Sequence, residues 1–305
     1  MALPTALVGA VTAPHTMAVD GRATMAFAAG IDDTSPAYLD TTRPGGVVAH
    51  PLFMVGPEWP VVLEAGRLAP DVLTRDEAKV GLHLTHDLVI HRPVRPGDVL
   101  TTTATVASVT AHRLGAFEIL HLATTDQHGA PVSSTDFGML FPGVPAIGDD
   151  GEPLTPPEPS RHRSAGPATP DQPRLAVLRP LSGATAHIYT ECARIWNPIH
   201  TDPAAAQAAG LPAIILHGTA TLAMAVSAVV EHLVEGDPTR VRRIRARFAA
   251  MVTLPSTIEI RVGDPGPIAA DGRSVAGHDQ VPFEVLNQAG ELALRGGLVD
   301  VAPPS

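Results

Sequence analysis

The residue types able to do chemistry gather between Arg194 and Gly218. The run RIWNPIHTDP sets Trp196, Asn197, Pro198 and His200 side by side, and ILHG sets His217 directly before Gly218. A core helix needs none of these polar groups, and a plain surface loop has little use for the tryptophan. A histidine held in such a turn can take and return protons near neutral pH, which makes His200 the first candidate for chemistry. The plain alternative is a surface histidine beside a turn.

The neighbouring residues each have two readings. Asn197 suits a turn before proline and is also placed to orient the His200 ring. Asp202 precedes Pro203, and the run closes at Gly210, so Asp202 reads as the cap of a short helix. His200, Asp202 and His217 make a poor metal set, because the one carboxylate already has a capping role. Cys192, the only cysteine, can be drawn as a nucleophile served by His200, but a lone cysteine in an amphipathic stretch is usually a small buried hydrophobe. The G-x-S-x-G, P-loop and G-x-G-x-x-G patterns are missing from the sequence, which argues against serine-hydrolase, nucleotide and dinucleotide chemistry.

The elements that must position these residues come from a repeat. From Gly218 to about Leu233 the sequence predicts a helix that is apolar on nearly every side and closed by Gly236. Such a helix must be enclosed, and a curved antiparallel sheet is available to do it. PSTIEIRVGD alternates apolar and polar residues as a half-buried strand, and PGDVLTTTATVASV takes the same place in the first half. Each is followed by a turn ending in glycine, at Gly129 and Gly290, and then by a final strand, an offset of about 160 residues. The first-half counterpart of the enclosed helix is AHPLFMVGPEWPVVLEAG, where Pro57 and Pro60 predict a short or broken helix. The expected organisation is a first domain over 1–142, a Pro-rich linker over 143–173 and a second domain over 174–305.

Composition narrows the function. The net charge is −10, with 21 Lys and Arg against 31 Asp and Glu, so a nucleic-acid partner is not expected. One cysteine excludes an internal disulfide framework and fits a reducing cytoplasm. The first residues lack the basic start of a secretory signal, and the longest apolar run, diluted by Gly, Ala and Thr, reads as a buried helix and not a membrane span. The expected location is cytoplasmic.

Within this frame IWNPIHTDP followed by ILHG resembles the MaoC-like hydratase/dehydratase family, whose motif runs Asp-x-Asn-Pro-x-His, then Asp, then a helix opening with His-Gly. The match covers much of the second half, whereas the first half matches only in general order. The resemblance implies an α+β double hot-dog fold, two antiparallel sheets each wrapped around a central helix. It also implies a lyase acting on a 2-enoyl or 3-hydroxyacyl thioester of CoA or an acyl carrier protein. No cofactor and no metal are expected, and a homodimer is left open.

Residue by residue, Asn197, Pro198 and His200 fall on the motif, and so does the His217-Gly218 pair. The resemblance makes His200 the proton-transfer group and the Gly218 N–H the donor to the thioester oxygen. Physical reasoning agrees, since a helix start offers unpaired N–H groups and a positive dipole end to a developing enolate. The departure lies just upstream, where the catalytic Asp of the motif is Ile195 and the preceding Gly is Arg194. Ile195, Trp196, Arg194 and His217 are then candidate substrate contacts. Glu191, one helical turn before Ile195, is a candidate substitute acid, its alternative being an exposed helix glutamate. Two readings stay open. One is a hydratase or dehydratase with a rebuilt acid partner; the other is an enolate-forming isomerase or cyclase, or a thioester-binding module, using His200 alone.

Overall fold

The computed structural model describes residues 2–68, 72–73, 81–156, 173–268 and 277–304. The first half runs from strand β1 (His15–Ala18) through helices α1 (Gly21–Gly30), α2 (Pro36–Leu39) and α3 (Val55–Ala65). Strands β2 (Leu82–Ile90), β3 (Val99–His112), β4 (Gly115–Thr125) and β5 (Pro131–Pro142) follow. The second half repeats the order with β6 (Leu175–Leu181), α4 (Thr185–Ala193), α5 (Pro203–Ala208) and α6 (Gly218–Leu233). It ends with β7 (Val241–Phe248), β8 (Ser256–Val262), β9 (Asp279–Leu286) and β10 (Leu292–Val301). Gly129 and Gly290, at φ +78° and +76°, close the β4–β5 and β9–β10 turns, where only glycine adopts the left-handed backbone without penalty. One strand, β4 or β9, separates each turn from the strand that the sequence places before it.

The two expected sheets meet edge to edge and form one. Its order is β1-β3-β4-β5-β2-β7-β10-β9-β8-β6, a mirror image about the β2–β7 seam. The seam is antiparallel, with Thr85 opposite Arg247 and Asp87 opposite Arg245. Arg243 on β7 grips Asp87 on β2 through two 2.7 Å contacts. The seam covers the two strand edges that separate halves would leave open, and the forked ion pair satisfies a guanidinium that is only 5% exposed.

Helix α6 is the enclosed helix, and every residue from Thr219 to Val230 is buried. Its counterpart is shorter. A 3₁₀ turn at Pro51–Met54 precedes α3, which contains Pro60 and buries only Val55, Pro57, Glu58 and Val61. The halves also touch through small residues: a Cβ on Gly30 would come 2.6 Å from the Cys192 Cβ, and one on Gly56 2.7 Å from the Ala193 carbonyl.

Within the stretch read as a linker, Ala146–Ile147 pairs in parallel with Leu3–Pro4. Val144 and Ala146 are buried in the first-half core, and residues 157–172 lie outside the described ones. Among the described residues no helix is long and apolar enough to cross a membrane.

Candidate active site

His200 is held by two successive helix starts. The Asn197 side chain accepts from the Ile199 N–H and caps the 3₁₀ turn Pro198–His200. The Asp202 side chain then accepts from Ala204 and Ala205 and starts α5. Both starts carry proline at the first helical position, where its missing N–H costs nothing. The motif Asn-Pro-x-His-x-Asp-Pro thus fixes the backbone on either side of the histidine.

The ring is oriented by a third segment. His200 Nδ1 lies 2.8 Å from the Ile215 carbonyl, which only accepts, so Nδ1 carries the proton and Nε2 keeps its lone pair. Ile215 is itself fixed, by its bridge to Thr253 and by the Leu216 N–H bonded to the Val252 carbonyl. Burial pulls the His200 pKa down to about 4, against the opposing pull of the Ile215 carbonyl. At neutral pH the side chain is therefore an uncharged base.

His217 caps α6 by position and stacks on His200, with ring centroids 3.6 Å apart. Its Nε2 is 3.3 Å from the Thr190 hydroxyl on α4. Burial first, and then the neighbouring His200, push its pKa to about 2, so His217 stays neutral. Next to it the Tyr189 hydroxyl donates to Thr219 at 3.0 Å and ties α4 to the first turn of α6. Gly218 is required here, because a Cβ would lie 2.6 Å from the Phe248 ring. The packing places a ring against the helix start while leaving its first N–H groups without intrahelical partners.

The remaining candidates separate. Arg194 ends α4 at φ +58° and is exposed, so it occupies a left-handed conformation that favours the motif's glycine. That turn swings Ile195 inward, where it is 5% exposed and part of the main core with Tyr189, Ala193 and Leu216. Trp196 is 63% exposed. Glu191 is exposed on α4, whose buried positions are Ala186, Tyr189, Thr190 and Ala193; it lies on the solvent side while His217 meets Thr190. Among the described residues neither His200 nor His217 is hydrogen-bonded to a carboxylate. Asp202 is the helix cap. Burial and Glu191 both raise the Cys192 thiol, which disfavours a nucleophilic role. No three His, Cys, Asp or Glu side chains among the described residues are grouped to hold a metal.

A second copy of the motif escaped the sequence reading. Asp32, at φ +56°, ends the turn after α1 as Arg194 does after α4, and the residues that follow are Asp33-Thr34-Ser35-Pro36-Ala37-Tyr38. The first half therefore has Asp33 where the second has Ile195, and Tyr38 where the second has His200. Its counterpart of His217 is His50, whose ring lies 5.3 Å from that of Tyr38. Both His50 nitrogens are engaged, Nδ1 by the Leu52 N–H and Nε2 by Ser227 on α6. Pro51 stands in the place of Gly218 and has no N–H to offer. Burial, then Asp33 and Asp237, raise the Tyr38 phenol well above its usual value, so it is no base. Of these two matched segments, the second alone sets an imidazole beside a helix start that keeps its first N–H.

The chain is similar to known dehydratases and hydratases. Residues 166–280 match the family described as MaoC like domain, and residues 6–135 match the FAS1-like dehydratase domain region. Each half is thus similar to a dehydratase domain, the first to the FAS1-like and the second to the MaoC-like family. 3-Hydroxyacyl-thioester dehydratase Y of Mycobacterium tuberculosis is 28% identical over 309 residues, covering 97% of this chain and all of that protein. A probable enoyl-CoA hydratase 2 of Dictyostelium discoideum is 28% identical over 187 residues, and the match spans 61% of each protein. The MaoC-like dehydratase of Phytophthora capsici superposes with a TM-score of 0.76 at 22% identity, covering 96% of both chains. The fold is the double hot-dog.

Proposed function

We propose that the chain interconverts 2-enoyl and 3-hydroxyacyl thioesters by hydration and dehydration, at one working site in the second half. The observation that carries this is the lone pair of His200 Nε2, fixed beside the first turn of α6 by the Ile215 carbonyl. In the dehydration direction His200 Nε2 takes the proton from C2. The electron pair moves to the thioester oxygen, which the Gly218 N–H holds as an enolate. The enolate collapses and expels the hydroxyl from C3. The proton on His200 goes to that leaving oxygen, so water departs and the imidazole is neutral again.

One side chain thus serves as base and then acid on the same face of the substrate. The exposure of Glu191 and the burial of Ile195 support this single-group route over a rebuilt dyad. Its test is an absorbance assay of crotonyl-CoA hydration, run in parallel with the matching carrier-protein thioester. Loss of the enoyl absorbance supports the reading, and no conversion of either thioester in either direction contradicts it.

A second reading rests on Ile195. An apolar wall where the motif has a carboxylate disfavours water, which suits an isomerase that forms the same enolate and returns the proton elsewhere. Movement of the double bond without gain of water would identify it.

A further inference from the structure

Two histidines on the first-half strand β2, His83 and His86, have no part in the chemistry above and yet reach toward it. A Cβ on Gly218 would meet the Phe248 ring at 2.6 Å. Phe248 also lies 4.5 Å from the His83 ring, and His83 lies 5.4 Å from His86. His83 is also stacked on Phe137, with centroids 3.6 Å apart. Rings from both halves therefore form one connected cluster that touches the start of α6.

His86 belongs to this cluster, with Phe137 6.4 Å from its ring. Alternation along β2 puts it on the same face as Leu88 and Ile90, which belong to the core around α6. It is 1% exposed, and neither ring nitrogen has a hydrogen-bond partner among the described residues. His83 does have one, donating from Nε2 to the Thr85 carbonyl at 3.1 Å. A buried imidazole with both nitrogens unmet is costly to keep, because neither nitrogen recovers the hydrogen bonds it made to water. A phenylalanine would fill the same space without that cost.

The surroundings define what can meet it. His86 is opposite Phe137 and Leu88 is opposite Thr135, so one step along the same face the Thr135 hydroxyl donates to Glu58 on α3 at 2.6 Å. Burial pushes Glu58 up to about 8 and pulls His86 down to about 4. This interior is polar and uncharged. A neutral imidazole offers one donor and one acceptor, and a hydroxyl answers both, whereas a carboxylate would bring a charge that its neighbours do not balance.

We propose that the acyl chain of the thioester runs from the start of α6 to His83 and His86, and that these two residues select a chain carrying a neutral hydroxyl group remote from the thioester. This selectivity rests on the acyl-thioester reading of the His200 site. The probes are hexanoyl-, octanoyl- and decanoyl-CoA, each titrated calorimetrically against its ω-hydroxy analogue. Wild type should bind the hydroxylated partner about tenfold more tightly or better at one or more of these lengths. His86→Phe should abolish that preference and tighten binding of the plain chain.

Equal affinities at every length would overturn the proposal and mean that ordered water satisfies His86. A preference that survives in folded His86→Phe would overturn the assignment to His86. Should His86→Phe fail to fold, the wild-type comparison decides by itself. Saturated thioesters bind without turnover, so failure here leaves hydration by His200 standing, and failure of hydration leaves this ratio measurable.

Discussion

The imidazole rings of His200 and His217 lie face to face, 3.6 Å between centroids and 26° from parallel. Two protonated rings cannot share that spacing, and burial already disfavours charge on either, with pKa values of about 4 and about 2. The site therefore works with both rings neutral. The rate of hydration, as kcat/KM, should rise with pH through a single limb near 4 and then stay flat to about pH 8. A second limb near neutrality in a pH–rate profile would reveal another titrating group in the mechanism.

Gly218→Ala should cost activity and stability together. The added Cβ meets the Phe248 ring at 2.6 Å, so the first turn of α6 or the ring must move, at about 1–3 kcal/mol. Displacing the N–H that faces the enolate should lower kcat/KM by about 10². Phe248→Leu in the same chain should recover part of the loss, and an unimpaired Gly218→Ala enzyme would remove Gly218 from the account.

Ile195→Asp puts a carboxylate at the position that Asp33 occupies in the first half. Because the position is 5% exposed in an apolar core, the variant should lose thermal stability, and the new group must find a partner or take up a proton. The His217 ring is within reach, since the Ile195 backbone already interacts with it. Hydration of a short 2-enoyl-CoA should rise relative to wild type. A fall in native activity with no gain in hydration would favour the isomerase reading.

Stability should respond to pH through buried groups both within the site and beyond it. Glu58 is held at about 8 against a usual 4.5, so it stays protonated when folded and its contribution is lost as pH rises from about 4.5 to 8. Glu58→Gln, which keeps an acceptor for Thr135, should gain on the order of 2–4 kcal/mol over wild type at pH 8 and little at pH 4. His50, His86 and His200 act with the opposite sign. Each is lowered from 6.5 to about 4, so stability should fall as pH drops from 6.5 toward 4. Urea midpoints across this range measure both slopes.

Much of this arrangement is local and therefore legible in the sequence. Asn197, Pro198, Asp202 and Pro203 are cap and first-turn residues whose preferences act over a few positions, and they locate His200 without tertiary information. Helix α6 is legible because it is apolar on every side.

Glu191 shows where extrapolation ends. Helical spacing sets it one turn before Ile195, but α4 stops at Ala193 and the left-handed Arg194 redirects the chain, so the shared face does not continue. The β2–β7 seam depends on which strand edges meet, which alternation along a strand does not encode. The Asp33 to Tyr38 copy is spelled out in the sequence, yet with serine for asparagine and tyrosine for histidine it is recognisable only once Asp32 and Arg194 are seen to share a backbone conformation.

The central claim is that His200 carries the proton, and His200→Ala tests it most directly. The measurement is kcat/KM for crotonyl-CoA hydration in wild type and variant, with circular dichroism confirming that both are folded. Loss of a general base of this kind should lower the rate by about 10²–10⁴. A folded His200→Ala protein that hydrates crotonyl-CoA at near the wild-type rate would contradict the account.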